Sequence, residues 1–206
     1  MSESDYQQLV ERMLQNIASP TISTDTGIEA VQQVAQVAAQ EEVEWAIAGG
    51  LAMHIYGSPR LTRGVDIIAS KHLSLTPQHR LLFGGNSDTL QAGKYAVQVD
   101  WIVRNDGYEK YYRAALKEAA ALPNGLRVVL PEWLVILKLN GGRQKDLDDI
   151  VFLLRQPKLV DRPAVKQKVV ETAGEDVWLA MLPNFRRLCD LADGRTTEPG
   201  KYYDEE

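Results

Sequence analysis

Cysteine is almost absent from this chain of 206 residues, in which Cys189 is the single example. One cysteine excludes an internal disulfide and suits a reducing compartment, so we expect a cytoplasmic protein. The chain also lacks an apolar run long enough to span a membrane, and we expect no membrane partner. Basic residues are outnumbered, because 23 Lys and Arg stand against 28 Asp and Glu and give a net charge of -5. This charge argues against nucleic-acid binding that ignores sequence, although a local basic groove stays open.

Enough apolar sequence is present to form a folded core. Hydrophobic residues make up 45% of the chain and charged residues 25%, which is ordinary for a globular domain. The apolar periodicity changes along the chain from helical to strand-like and back. It predicts helices at residues 5–17, 28–40, 51–56, 107–121, 131–139, 144–155, 162–173 and 177–192, and strands at residues 43–48, 65–69, 95–103 and 126–130.

This order of elements predicts an α+β fold, with a small mixed sheet flanked by helices and a helical C-terminal part. We divide the chain into N-terminal helices and core at residues 1–130, a helical region at 131–193 and a flexible tail at 194–206. Residues 70–93 show little periodicity. For them we predict a strand at 79–83 and otherwise loop, which leaves open whether the segment forms a lid.

A glycine pair follows the first predicted strand. Gly49 and Gly50 stand between that strand and a short helix. Glycine there lets the backbone approach phosphate oxygens and directs N–H groups at them. A tight strand-to-helix turn explains the pair equally well when it stands alone. Asp66 on the next strand favours the phosphate-binding interpretation.

Two apolar strands each present one carboxylate: Asp66 interrupts one strand and Asp100 lies near the end of another. On the second strand Gln98 and Asp100 share a face, because side chains alternate along a strand. A carboxylate is costly to bury alone, so each Asp needs a salt bridge, a hydrogen bond or a metal ion. Carboxylate oxygens are ligands that Mg²⁺ prefers. A carboxylate two residues before Asp66 would face the same way, but that position holds Gly64.

Three parts of the chain together resemble one known family. They are residues 47–68, the strand that carries Asp100, and residues 131–150, whose two predicted helices carry Lys138, Lys145 and Asp146. These parts resemble bacterial nucleotidyltransferases of the AbiEii-like toxin group, within the polymerase-beta-like superfamily. The fold that the resemblance implies is the nucleotidyltransferase type, over about residues 43–154.

The first motif of that family is Gly-Gly, a helix, and then Arg-x-Thr-x-Asp-Val/Ile-Asp. This chain matches it with Gly49-Gly50, Arg60-x-Thr62 and Gly64-Val65-Asp66. The match is good at every position except Gly64, where the family has the first aspartate.

The resemblance implies transfer of a nucleoside monophosphate from an NTP to a hydroxyl acceptor, with Mg²⁺ or Mn²⁺ as cofactor. In similar proteins the acceptor is often tRNA, the activity is toxic, and a cognate antitoxin opposes it; a small-molecule acceptor is the alternative. The resemblance also implies catalytic roles for Asp66, Asp100 and Lys138, metal binding by Asp66 and Asp100, and nucleotide binding by Gly49, Gly50, Arg60, Thr62, Lys145 and Asp146.

Gly64 stands where the family has a metal ligand, and three explanations stay open. The chain is an engineered inactive variant, a natural pseudoenzyme that still binds nucleotide, or an enzyme that uses one metal ion or a borrowed ligand. We expect weak or absent transfer, because even a change beside a metal ligand costs roughly 10–100-fold. Two other functions therefore compete with catalysis: a nucleotide-binding or regulatory protein, and an interaction module that uses the helical C-terminal half.

Overall fold

The computed structural model describes residues 21–73, 79–82, 84–122 and 124–195. The predicted helix at 5–17 and most of the predicted tail lie outside these residues. The strands are β1 (Trp45–Ala48), β2 (Gly64–Ala69), β3 (His79–Arg80), β4 (Gly85–Ala92), β5 (Tyr95–Ile102), β6 (Ala120–Ala121) and β7 (Arg127–Val128). The helices are α1 (Thr24–Gln40), α2 (Gly49–Ile55), α3 (Glu109–Lys117), α4 (Pro131–Gly141), α5 (Gln144–Arg155), α6 (Arg162–Ala173) and α7 (Glu175–Ala192).

The strands of the described residues form one mixed sheet in the order β3-β4-β5-β2-β1-β7-β6. β2 lies at the centre, antiparallel to β1 and parallel to β5. α1, α2 and α3 contact the sheet, whereas α4 packs against α5 and α6, and α7 packs against α5 and α6 in turn. The predicted α+β class, with a mixed sheet flanked by helices and a helical C-terminal part, is confirmed.

The alternation predicted for the central strands is present. On β5, Val97, Val99 and Trp101 are buried, and Gln98 on the opposite face is exposed. Asp100 shares the face of Gln98, as predicted, and is partly buried. In the described part of the chain, no helix is long and apolar enough to cross a membrane.

The prediction of loop for most of residues 70–93 is wrong, because β4 occupies Gly85–Ala92 and pairs with β5 along its whole length. β3 pairs with β4 inside the predicted strand at 79–83. No apolar alternation marks β4, since its buried residues include Asn86 and Ser87. Pairing with β5, rather than local composition, therefore makes this segment a strand.

The predicted helix at residues 107–121 extends too far. α3 ends at Lys117, and Ala120–Ala121 form β6 beside β7. Alanine favours helices, so pairing with a neighbouring strand has outweighed the local preference here.

Local signals set the bounds of the helix that borders the site. α4 carries Pro131 in its first turn, where the missing N–H has no helical partner to lose. It stops at Gly142, whose φ of 63° is left-handed and suits glycine. α5 begins two residues later, so α4 and α5 form a tight pair that brings Lys138 beside the carboxylates of α5.

Candidate functional site

Asp66 and Asp100 are direct partners in the register of β2 and β5. Neighbouring strands lie about 4.8 Å apart, so partner side chains on one face are close together. Both carboxylates line a cavity of about 450 Å³ and also a second cavity of about 210 Å³. We call these the larger and the smaller cavity. The carboxylate pair is therefore the point where the two cavities meet.

Burial and the neighbouring carboxylate both act against ionisation of Asp66. Burial raises the pKa of Asp66, and the adjacent charge of Asp100 raises this pKa further. The Gly50 N–H and the charges of Lys138 and Lys145 act in the opposite direction without cancelling the rise. A cation between the two carboxylates would relieve this repulsion.

Asp66 and Asp100 are the residues that could hold a magnesium ion. Mg²⁺ is commonly bound by one or two carboxylates, with water and substrate phosphates as its other ligands. Asp66 and Asp100 supply two such carboxylates. Among the described residues, no group of three or more His, Cys, Asp or Glu side chains is placed to hold a metal ion. A site for two metal ions, which needs several carboxylates, has less support than a site for one.

Two neutral side chains hold Asp100 in place. Its Oδ1 accepts hydrogen bonds from Ser87 Oγ at 2.7 Å and from Gln98 Nε2 at 2.9 Å. Ser87 is buried on β4, the strand that sequence reasoning missed. Gln98 lies two residues before Asp100 on the same face, a spacing that was available in the sequence. Because both hydrogen bonds are accepted by Oδ1, they fix the orientation of the Asp100 carboxylate.

The glycine pair is required by side chains that approach it. Gly49 has a φ of +51°, and a Cβ on it would lie 1.7 Å from Asp66 Oδ2. A Cβ on Gly50 would lie 2.4 Å from Thr62 Oγ1. The Gly50 N–H also donates to Asp66 Oδ2 over 3.4 Å. The turn therefore admits and orients the carboxylate, and phosphate binding by the pair stays a prediction.

Gly64 brings β2 and β5 close together. A Cβ built on Gly64 would lie 2.6 Å from the carbonyl oxygen of Gln98, its partner in the register. That atom belongs to the backbone, so a side chain fits only if a strand moves. Gly64 also lines the smaller cavity, with the exposed Arg63 and Lys145. Glycine at this position therefore lets β2 and β5 approach each other, in addition to lacking the carboxylate that the resembled family has there.

We expect Gly64→Asp to lower the free energy of unfolding by about 1–3 kcal/mol, because its Cβ must push β2 away from the Gln98 carbonyl. Gly64→Ala is the matched control, since it adds the same Cβ without a carboxylate. Urea unfolding of the two variants measures the loss. Similar losses of stability in the two variants would show that the added Cβ causes the steric conflict. If both variants are as stable as the parent chain, the close approach of the strands is contradicted.

A buried ion cluster anchors the lysine of α4. Lys138 Nζ lies 2.7 Å from Asp149 Oδ2 and 3.6 Å from Asp146 Oδ1. Arg60 Nε donates to Asp149 Oδ1 at 2.7 Å, and Arg143 Nε donates to Asp146 Oδ2 at 2.7 Å. Burial raises the pKa of Asp146, but the Arg143 hydrogen bond and the Lys138 charge outweigh it and lower that pKa. Lys138 is thus held at the cavity wall by two carboxylates.

Most predicted site residues line one of the two cavities. Arg60 lines neither, because its side chain is directed to Asp149. Gly50 also lines neither and acts through the backbone of the turn. The larger cavity is lined by Gly49, Asp66, Asp100, Lys138 and Asp146. The smaller cavity is lined by Thr62, Asp66, Asp100 and Lys145.

Sequence reasoning missed an aromatic wall of the larger cavity. Tyr108 and Tyr112 line it, and the Arg104 guanidinium lies 5.3 Å and 5.1 Å from their ring centroids. Burial raises the pKa of Tyr112, so its hydroxyl is neutral near pH 7. The wall also includes Asn140 near the end of α4. A tyrosine pair four residues apart on one helical face was the available signal.

Comparisons with known proteins give matches among solved structures. The sequence matches no protein-family model and no curated protein. A crystal structure of an antigenic nucleotidyltransferase-like protein from Paracoccidioides brasiliensis resembles the chain with a TM-score of 0.49 and 16% sequence identity. The alignment covers 90% of this chain and 99% of that one. A likeness at this level assigns no function, so a function has to be inferred from the residues of the two cavities.

Proposed function

We propose that this protein is a nucleotidyltransferase that moves a nucleoside monophosphate from an NTP to a hydroxyl acceptor, at a rate lowered by Gly64 in the place of a metal ligand. One observation carries the proposal: Asp66 and Asp100 are register partners on adjacent strands and face a cavity of about 450 Å³. Lys138 and Arg143 line the same cavity. Carboxylates that hold a metal ion, beside basic groups that compensate phosphate charge, are what phosphoryl transfer requires.

The residues have separate roles in this reaction. Asp66 and Asp100 would hold Mg²⁺ or Mn²⁺, which supplies charge compensation for the phosphates. Lys138 and Arg143, which line the larger cavity, would compensate the charge of the triphosphate. The acceptor oxygen forms a bond to the α-phosphorus, the bond from that phosphorus to the β-phosphate oxygen breaks, and pyrophosphate leaves. Asp100, fixed by Ser87 and Gln98, takes the proton of the acceptor hydroxyl.

The acceptor belongs to the finer part of the proposal. Arg63 and Lys145 are exposed at the rim of the smaller cavity, where they suit a ligand that bears phosphate. An RNA end, such as that of tRNA in the resembled toxins, meets this requirement, and a small hydroxyl compound is the alternative. A cytoplasmic toxin with a cognate antitoxin rests on the sequence resemblance alone.

Nucleotide binding without transfer is the second candidate function. It is favoured by the same Gly64, which leaves two carboxylates in the place where the resembled family has three. A protein of this kind would bind NTP and metal in the larger cavity and release the NTP unchanged. The two candidate functions differ in whether the protein turns over the NTP, and both require that it binds the NTP.

A label-transfer assay separates the two candidates. Each α-labelled NTP is incubated with the protein, Mg²⁺ or Mn²⁺, and either total RNA or small hydroxyl acceptors, while calorimetry measures NTP binding. Label in the acceptor that disappears in Asp66→Asn supports the transferase. Tight NTP binding without label supports the binding protein. A chain that neither transfers label nor binds any NTP would contradict both.

A further inference from the structure

One side chain on the wall of the larger cavity has an unmet hydrogen-bond donor. Among the described residues, Asn140 Nδ2 is buried and has no hydrogen-bond partner. The same residue lines the larger cavity, beside Gly141 at the end of α4. A buried amide donor without an acceptor is unfavourable, and most native structures avoid one. A ligand acceptor that enters the cavity would satisfy this donor.

The surroundings of Asn140 favour the nucleoside over the triphosphate. Tyr108 and Tyr112 line the same cavity with apolar residues that include Ile102 and Leu134. Aromatic and apolar surface suits a base and a sugar, and stacking of bases on aromatic rings is favourable.

We infer that Asn140 recognises the nucleoside part of the bound NTP, with Nδ2 donating to an acceptor on the base or the sugar. The inference rests on the proposed function, since it needs an NTP in the larger cavity. Asn140 would determine the binding of the nucleoside, whereas the carboxylates and the basic side chains of the cavity would determine the binding of metal and phosphate.

Asn140→Leu tests this role, because leucine keeps the number and branching of the side-chain heavy atoms and removes the donor. Calorimetry with Mg²⁺ measures the affinity of each variant for the four NTPs and for inorganic tripolyphosphate. We expect the variant to bind NTP about fivefold more weakly, the usual effect of one neutral hydrogen bond, and tripolyphosphate unchanged. We also expect an equal or higher melting temperature without ligand, because an unsatisfied buried donor has been removed.

Asn184→Leu is the matched control. Asn184 lies on α7, accepts a hydrogen bond from Arg187 at 3.1 Å and lines neither cavity. We expect this variant to bind every ligand as the parent chain does. Weaker binding of all four NTPs by Asn140→Leu would place the acceptor on the sugar, and weaker binding of only some would place it on the base; both support the inference.

Four outcomes would overturn the inference. Unchanged NTP affinity in Asn140→Leu would show that Nδ2 has no ligand partner, with the proposed function intact. Equal weakening of NTP and tripolyphosphate, or a lower melting temperature without ligand, would show a phosphate-binding or structural role. A parent chain that binds no NTP would overturn the proposed function as well, so the two failures are distinguishable.

Discussion

Asp149→Ala is expected to lower the free energy of unfolding by about 3–5 kcal/mol, the usual effect of leaving buried charge uncompensated. The Asp149 side chain is 2% exposed and that of Lys138 is 9% exposed, and the carboxylate accepts from both Lys138 and Arg60. In a chain of this length such a loss lowers the melting temperature by about 10 °C. Denaturant and thermal unfolding measure it.

Two further variants make this result specific. Glu109→Ala breaks the exposed pair with Arg113 on α3, and we expect a change of less than about 1 kcal/mol. Lys138→Met together with Asp149→Leu removes the buried Lys138–Asp149 pair and leaves Asp146 paired with Arg143. We expect this double variant to recover most of the stability lost in Asp149→Ala. If Asp149→Ala is no more harmful than Glu109→Ala, the ion cluster does not stabilise the fold.

Asp66→Asn is expected to reduce nucleotide transfer by about 10³-fold while it stabilises the protein without metal. Loss of a metal-ligating carboxylate removes several kcal/mol of transition-state stabilisation, and each 1.36 kcal/mol is about tenfold in rate. The stabilisation follows from the burial of the Asp66 charge and from its repulsion by Asp100, both of which a neutral amide removes. Initial rates of label transfer and metal-free melting temperatures test the two halves of this prediction.

The pH dependence of stability gives an independent check on Asp66. Its pKa is raised in the folded protein, so the protonated folded form is favoured. The stability that this proton binding contributes is fully present below the unfolded pKa of about 3.9 and is lost as the pH rises through the higher folded pKa. Relative to the parent chain, Asp66→Asn should therefore gain stability as the pH rises over this window. A difference that does not change with pH would contradict the raised pKa.

Local pattern was sufficient for the elements that carry the carboxylates. Alternation on β5 predicted that Gln98 and Asp100 share a face, and the apolar run around Asp66 predicted β2. The predicted helix at 144–155 has the bounds of α5, Gln144–Arg155. These features depend on residues that lie close together in the sequence, so they can be predicted from one sequence alone.

Contacts between distant segments were not predictable in this way. Ser87 reaches Asp100 only because β4, a polar strand without alternation, pairs with β5. The partners of Lys138 depend on how α4 and α5 pack. Asn140 and the tyrosines line one cavity only because α3 and α4 pack together. From the sequence alone, we interpret Gly64 as a missing metal ligand. In the fold, the close approach of β2 and β5 gives a second reason for glycine at this position.

Binding of Mn²⁺ in the presence of an NTP tests the central proposal most directly, because it does not depend on the acceptor. Electron paramagnetic resonance titration of the parent chain is compared with Asp66→Asn, Asp100→Asn and the control Asp148→Asn, an exposed carboxylate on α5 outside both cavities. We predict one Mn²⁺ per chain, affinity lowered about tenfold or more in the first two variants, and no change in the control. Equal Mn²⁺ affinity in all four proteins would contradict a metal site at Asp66 and Asp100.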